Sequence, residues 1–164
     1  MGFARTLAAG ALAGGLLPLA VATPASAAFV REDTDTRTVT FGFGGTARTC
    51  RLIATTRYEY PAAGVEGDAL IRSSTSVADD PGCREPVYEV SLLGRYETAP
   101  DSGRFRTFFA TSGVGESPRP GGVSVELTVP GPTGPLTVDH RVTVVCDGPS
   151  NPNLCSYTLQ TSPK

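Results

Sequence analysis

The chain has 164 residues, a formal net charge of -2 at pH 7, a 40% hydrophobic fraction, 19 glycines and 14 prolines. An apolar fraction of this size is too large for a disordered chain, and the glycine and proline content predicts many turns. Acids and arginines are interspersed without basic blocks, so we do not expect nucleic acid or an anionic membrane as a partner.

The first 27 residues have the features of a secretory signal peptide. Arg5 supplies a positive start, residues 7–22 are mainly apolar, and Ala25-Ser26-Ala27 predicts cleavage before Ala28. Glycines and Pro18 interrupt the apolar stretch, which falls short of the roughly 18 residues of a spanning helix. We therefore expect a secreted protein without membrane attachment after cleavage. All but one of the 14 basic side chains are arginine, a usage typical of GC-rich coding genomes, which predicts a bacterial origin.

The rest of the chain predicts a polar lead-in over residues 28–36 and one disulfide-bonded domain over residues 37–164. Apolar and polar residues alternate with period two, and no helical stripe appears, so the domain is predicted to be all-β. Turns rich in glycine and proline separate the strands. The predicted strands cover residues 37–43, 47–60, 67–77, 86–98, 104–111, 122–129, 136–146 and 154–161. The pattern favours an antiparallel β-sandwich of immunoglobulin-like type, with an eight-stranded antiparallel barrel as the alternative.

The last two predicted strands contain two of the four cysteines, Cys146 and Cys155. If these two lie opposite each other in an antiparallel hairpin, one face becomes apolar and the other mostly polar. The register then also pairs Val144 with Tyr157, Val142 with Leu159 and His140 with Thr161. A slip of one residue would destroy this agreement, so register and disulfide support each other.

Cys50 and Cys83 are the cysteines that remain, and by elimination they pair with each other. Two other connectivities of the four cysteines remain open at this point. A zinc site is not indicated, because there is no Cys-x-x-Cys pair and the single histidine is not at ligand spacing from a cysteine.

A second hairpin is predicted from the aromatic residues around the turn at residues 100–103. Pairing Tyr96 with Phe105 places Glu97 opposite Arg104, which is favourable. It also places Arg95 opposite Arg106, which is unfavourable, so the alternation does not decide the register. We expect both strands to turn their aromatic face to the core. The residues of this face are Tyr88, Val90, Leu92 and Tyr96 on one strand and Phe105, Thr107 and Phe109 on the other.

His140 is the only histidine, so an acid–base mechanism near neutral pH would depend on it. It lies between Val138 and Val142 on an apolar face, while Asp139 points to the opposite face. The two cannot orient each other as a catalytic pair, and no Gly-x-Ser-x-Gly motif supplies a nucleophile. We expect a hydrogen-bonded histidine at the margin of the core, no catalytic residue, no cofactor and no enzymatic activity.

Several acids have to be weighed as metal ligands or catalytic groups. The candidates for calcium are Glu32, Asp33 and Asp35, and Asp79 with Asp80; those for glycoside hydrolysis are Glu59, Glu89 and Glu126. EF-hand spacing is absent and Asp-Asp-Pro-Gly is typical of a turn, so no metal site is expected. The sequence does not tell how far apart the three glutamates lie.

The segment between Cys146 and Cys155 is the candidate binding loop. Its residues are Asp147, Pro149, Ser150, Asn151, Pro152, Asn153 and Leu154. Two prolines and a covalent bridge at its ends would lower the entropy cost of docking. We expect a secreted, non-enzymatic domain with a binding or cell-envelope-associated role, whose partner is an extracellular protein or a cell-wall component. The alternative is an extracellular protease inhibitor that acts through residues 147–154.

Overall fold

The computed structural model describes residues 29–61, 67–78, 81–113, 121–146 and 153–164. The predicted signal peptide and residues 147–152 of the candidate loop lie outside the described residues. The elements are β1 (Phe29–Phe43), β2 (Thr46–Tyr60), β3 (Asp68–Val77), α1 (Pro81–Arg84), β4 (Val87–Glu97), β5 (Phe105–Thr111), β6 (Gly122–Pro130), β7 (Leu136–Cys146) and β8 (Asn153–Thr161).

The strands form two antiparallel sheets of four strands each, in the orders β1-β2-β3-β6 and β5-β4-β7-β8. This is the predicted β-sandwich. Over the described part of the chain the sheets do not close into the barrel that was the alternative. All of the predicted strands are present, but β1 begins at Phe29, opposite Tyr60. Most of the expected lead-in is therefore strand. Its threonines and charged residues are typical of an edge strand, which pairs through its backbone and keeps polar side chains in water.

Both disulfides lie at one end of the sandwich, which we call the disulfide end. Cys50 is bonded to Cys83 with a Cα–Cα distance of 5.7 Å, and Cys146 to Cys155 with 6.0 Å. This is the pairing derived from the sequence. The opposite end holds the end of β2, the start of β3 and the β4–β5 and β6–β7 loops. We call it the cavity end because a cavity described below opens there.

The predicted register of β7 and β8 is wrong by two residues. Cys146 lies opposite Asn153 and Val144 lies opposite Cys155, so the disulfide runs diagonally across the hairpin. Because side chains in a strand repeat every second residue, a shift of two leaves each one on its predicted face. Alternation alone therefore specifies the faces but not which of two such registers forms.

The prediction for the second hairpin is wrong about which aromatic residues are buried. Phe108 lies opposite Gly94 and packs inward, whereas Phe105 and Phe109 are 47% and 60% exposed on the outer face. Gly94 is the physical reason: a Cβ there would lie 1.9 Å from the Phe108 ring, so the missing side chain makes room for that ring. Tyr96 packs beside Phe108 with ring centroids 6.5 Å apart.

An irregularity at the start of β4 changes the expected alternation. The pairing of β4 with β7 shifts between Val87 and Glu89. Val87 and Val90 are both fully buried as a result, and Tyr88, which was predicted to lie on the core face, is only half-buried.

The core consists of two apolar clusters separated by a polar layer. The cluster at the disulfide end contains Val39, Phe41, Cys50, Leu52, Ala54, Val77, Cys83, Val87, Val90, Val142, Val144, Cys146 and Leu159. The cluster at the cavity end contains Tyr58, Ala69, Ile71, Leu92, Tyr96, Val129, Leu136 and Val138. The polar layer consists of Thr56, Ser73, Thr75, His140 and Thr161, all buried. Each of these five lies on an inward face, so the hydroxyls and the imidazole meet in the middle of the sandwich.

Candidate functional site

A cavity of about 640 Å³ opens at the cavity end, which is within the usual size range of small-molecule sites. The ends of β1, β2 and β7, the β4–β5 and β6–β7 loops and the last residues of the chain form its wall. The described lining residues are Phe29, Arg31, Tyr58, Tyr60, Pro100, Pro132, Thr133, Gly134, Pro135, Leu136, Ser162, Pro163 and Lys164.

Most of the cavity wall is apolar and is built from flat rings. Phe29, Tyr58 and Tyr60 supply aromatic rings from β1 and β2, and four prolines supply the facing surfaces. Gly131 packs so closely against Tyr60 that a Cβ there would lie 2.1 Å from the ring. Prolines and close ring contacts restrict the backbone, so this wall loses little conformational freedom when a ligand binds.

Hydrogen bonds hold the β6–β7 loop in place beneath the cavity. The backbone N–H of Thr133 donates to the hydroxyl of Tyr58 at 3.1 Å. Two further bonds join the loop to the end of β4: Gly134 N–H donates to the Glu97 carbonyl at 2.9 Å, and Glu97 N–H donates to the Pro135 carbonyl at 3.1 Å. The cavity is thus fixed by contacts that need no ligand.

The charged side chains in the described lining of the cavity are two cations, Arg31 and Lys164. The Arg31 guanidinium carbon lies 4.5 Å from the centroid of the Phe29 ring, and no described carboxylate is within ion-pair distance of Arg31. Lys164 also borders a neighbouring depression that contains Glu32 and Asp33. Arg31 is therefore the cation that belongs to the cavity alone.

His140 lies at the centre of the core rather than at its margin and is fully buried. Its Nδ1 is 2.7 Å from the Thr75 hydroxyl and its Nε2 is 2.9 Å from the Thr161 hydroxyl. Burial lowers the pKa of His140 to about 4, although the charges of Asp139 and Asp35 act in the opposite direction. His140 is neutral at pH 7 and is not part of the cavity lining.

The hydroxyl contacts continue from Thr161 across to the other sheet. Thr161 Oγ1 is 2.6 Å from Thr56 Oγ1, which is 2.8 Å from Ser73 Oγ, and Ser73 donates to the Thr55 carbonyl at 3.5 Å. Each hydroxyl can donate one hydrogen bond. Since Ser73 donates to the Thr55 carbonyl, Thr56 donates to Ser73, and Thr161 in turn donates to Thr56. The Thr161 oxygen is then the acceptor for the Nε2–H of His140. Nδ1 then accepts from Thr75. This arrangement satisfies every polar group of the layer.

Two of the acids near the start of the domain accept hydrogen bonds from backbone N–H groups of residues 160 and 162. Asp33 accepts the N–H of Ser162 at 2.6 Å, and Asp35 accepts the N–H of Gln160 at 3.2 Å. Glu32 instead lies 3.9 Å from Arg57. The described residues hold no group of three or more His, Cys, Asp or Glu side chains that is arranged to hold a metal ion. Asp79 and Asp80 lie outside the described residues.

Two of the three glutamates considered for glycoside hydrolysis meet on the outer face of the first sheet. Arg72 lies between them, donating to Glu126 at 2.7 Å and to Glu59 at 3.0 Å, and these contacts raise the pKa of Arg72. Glu89 lies on the other sheet and accepts a hydrogen bond from Thr111 at 3.2 Å. Glu59 and Glu126 are thus bound to a shared cation rather than facing across a cleft.

Only the last two residues of the candidate binding loop are described, and both belong to β8. Asn153 lies opposite Cys146, and Leu154 lies opposite Val145 with 56% of its surface exposed. The structure therefore shows an exposed leucine next to the Cys146–Cys155 disulfide, while residues 147–152 lie outside its described part.

A second exposed apolar surface lies on the outer face of β4 and β5. Leu93 and Phe109 are direct partners across these strands, exposed by 50% and 60%, and Arg95 lies over the Phe105 ring with its guanidinium carbon 3.8 Å from the centroid. This outer patch borders two depressions of about 400 and 330 Å³, whereas the cavity at the cavity end measures about 640 Å³. The larger concave space can bury more of a small ligand.

Sequence reasoning missed the cavity, although part of its lining was recognisable. In the alternation of β2, Tyr58 and Tyr60 lie on the same face as the core residues. Tyr58 is buried and Tyr60 is half-buried. The alternation does not show that loops from distant parts of the chain leave a space beside them. A clustering of Pro132, Pro135 and Pro163 near predicted strand ends was the available signal.

The described residues contain no helix with the length and apolarity needed to cross a membrane. Comparisons with protein-family models, with curated proteins and with solved structures find no match to this chain.

Proposed function

We propose that this protein is a secreted, non-enzymatic binding domain whose ligand occupies the cavity at the cavity end. The observation that carries the proposal is an apolar cavity of about 640 Å³ whose wall is already fixed by hydrogen bonds and prolines. An apolar concave surface that does not need to rearrange favours binding of a small molecule.

The side chains at the cavity favour binding over catalysis. In the described lining the ionisable side chains are those of Arg31, Lys164, Tyr58 and Tyr60, without a histidine, cysteine or acidic side chain. General acid–base catalysis near pH 7 most often uses a histidine or a carboxylate side chain. His140 is buried in the polar layer, where both of its ring nitrogens contact threonine hydroxyls.

The two disulfides support a location outside the cytoplasm, since such bonds persist in oxidising compartments. Together with the predicted signal peptide over residues 1–27, they favour a secreted bacterial protein that meets its ligand in the medium or the cell envelope. A cell-wall component or another extracellular molecule would be the source of that ligand.

Titration with N-phenylnaphthylamine, a neutral aromatic dye that fluoresces in apolar surroundings, tests the cavity. We expect the wild-type protein to bind the dye, and Phe29→Ala to weaken binding about fivefold because part of the apolar wall is removed. Phe109→Ala is the matched control, because Phe109 is also an exposed phenylalanine but lies in the outer patch. If Phe109→Ala abolished binding and Phe29→Ala did not, the site would be the outer patch and the proposal would be wrong.

A second candidate function is inhibition of an extracellular protease by the segment 147–154. The observation that favours it is the exposed Leu154 beside a disulfide that fixes the ends of the segment. A covalent bridge at the ends of a segment and prolines within it lower the entropy cost of docking.

The inhibitor function predicts that micromolar protein slows at least one enzyme in a panel of secreted serine and metalloproteases. Replacing residues 149–152 with glycine and serine should remove that effect and leave binding of N-phenylnaphthylamine unchanged. A panel that stays fully active would exclude this second function.

A further inference from the structure

We infer that the cavity ligand is a small molecule with a flat aromatic body and one anionic group, which Arg31 binds. This inference rests on the proposed function, since it names the chemical class of the ligand for the same cavity. It depends on two independent features of the wall: its ring surfaces and its uncompensated charge.

The body of the ligand follows from the shape of the wall. Tyr58 and Tyr60 present aromatic rings from β2, and Pro132 and Pro135 present rigid rings from the β6–β7 loop. Aromatic ligands stack on such surfaces face to face or edge to face, whereas a flexible aliphatic chain would lose rotational freedom to fill the same space. A planar ring system is therefore the body that this wall favours.

The anionic group follows from the charges around the cavity. The charged side chains of the described lining are both cations, which favours an anionic group on the ligand. By contrast, Arg57 and Arg72 on the outer face are each bound by glutamates at 2.6 to 3.0 Å. Arg31 lacks such a carboxylate among the described residues, so a ligand anion would supply the missing opposite charge.

The position of Arg31 also suits this role. Its guanidinium carbon lies 4.5 Å from the Phe29 ring centroid, where the ring face attracts the cation and limits its motion. A guanidinium held in this way keeps N–H groups at its edge, and these can bind a carboxylate or sulfonate with two parallel hydrogen bonds.

Two related dyes separate the contribution of charge from that of the apolar body. N-phenylnaphthylamine is neutral, and anilinonaphthalene sulfonate carries a similar aromatic body with one negative charge. We expect the wild-type protein to prefer the sulfonate, and Arg31→Gln to weaken sulfonate binding about tenfold and to remove most of this preference over the neutral dye. Raising the salt concentration should weaken binding of the sulfonate alone.

Arg51→Gln is the matched control, because it removes the same charge from an exposed position in β2 at the disulfide end. If Arg51→Gln weakened sulfonate binding as much as Arg31→Gln does, net charge would explain the preference and the role of Arg31 would be wrong. A sharp thermal transition in every variant would show that the dyes report the folded protein.

Competition experiments test the aromatic body. Naphthoate should displace the sulfonate dye, and decanoate, an aliphatic acid of the same charge, should do so at least tenfold less well. Displacement by decanoate but not by naphthoate would overturn the aromatic part of the inference. If the wild-type protein bound both dyes equally well, the inference about the anionic group would be wrong and the proposed function would stand. If it bound neither dye, the proposed function would be wrong as well.

Discussion

The two ends of the sandwich differ in how their apolar surface is closed. At the disulfide end, one disulfide joins β2 to α1 and the other joins β7 to β8, next to an apolar cluster. At the cavity end, aromatic rings and prolines surround an open space, and the described residues there include no disulfide. An unfilled apolar space costs packing energy. The comparison teaches that covalent stabilisation at one end of a small domain is compatible with an open concave surface at the other.

The polar layer lies between these two ends and belongs to neither cluster. His140 and Thr161 come from one sheet, and Thr56, Ser73 and Thr75 come from the other. Because hydrogen bonds depend on direction and apolar contacts do not, this layer fixes how the two sheets are aligned. We infer that it keeps the shape of the cavity end independent of changes at the disulfide end.

The largest expected effect comes from breaking the disulfide end. Cys50→Ala with Cys83→Ala removes a bond between residues 33 apart in sequence, which should lower the free energy of unfolding by about 3.5 kcal/mol in the chain-entropy model. Denaturant unfolding measures this loss. Below the unfolding transition, binding of N-phenylnaphthylamine should stay within twofold of wild type. A fivefold loss of binding by the folded variant would show that the two ends are coupled.

A slightly smaller effect is expected from titrating the layer between the ends. The pKa of His140 is about 4 in the folded protein and about 6.5 when unfolded, so only the unfolded chain takes up a proton between these values. The contribution of His140 is complete above pH 6.5 and is lost as the pH falls towards 4, about 3 kcal/mol in total. Unfolding free energies measured across this range test the loss.

The control for this titration must separate His140 from the carboxylates that also titrate at low pH. His140→Gln should unfold more easily at pH 7 but show a flatter dependence on pH between 6.5 and 4. The NMR signal of the single histidine gives a second readout in the wild-type protein. A folded-state pKa near 6.5 would contradict the buried, neutral imidazole.

The smallest effect is expected from loosening the cavity end. Tyr58→Phe removes the acceptor for the Thr133 N–H and should cost about 1 kcal/mol, because that backbone group is left without its partner. It should also weaken binding of N-phenylnaphthylamine two- to threefold. Tyr157→Phe at the disulfide end is the matched control and should change neither quantity measurably. Equal effects of the two changes would remove the distinction between the ends.

The sequence predicted the parts of the fold that depend on local alternation. For β7 and β8 it assigned each side chain to the right face, but the register was wrong by two residues because both registers satisfy the same period. For β5 the predicted buried face was wrong. The space above Gly94 that accepts the Phe108 ring exists only after β4 and β5 have paired. The beginning of β1 was placed late because an edge strand tolerates polar residues on both faces.

The candidate site was less predictable than the fold. His140 was correctly expected to be hydrogen-bonded, but its central position depends on inward-facing hydroxyls from three other strands, and these look like solvent-exposed residues in the sequence. The cavity depends on how the β6–β7 loop and residues 162–164 lie against β1 and β2. Such relations between distant segments are not encoded in any short pattern.

The contacts of Asp33 and Asp35 with the end of the chain affect how the folded protein self-associates at high concentration. Their carboxylates accept the N–H groups of Ser162 and Gln160, which lie along the free side of the second sheet. Those are donors that a strand from a neighbouring molecule would need in order to extend the sheet into a fibre. One flank of the sandwich is thereby protected from strand pairing between molecules, which opposes polymerisation of the folded protein.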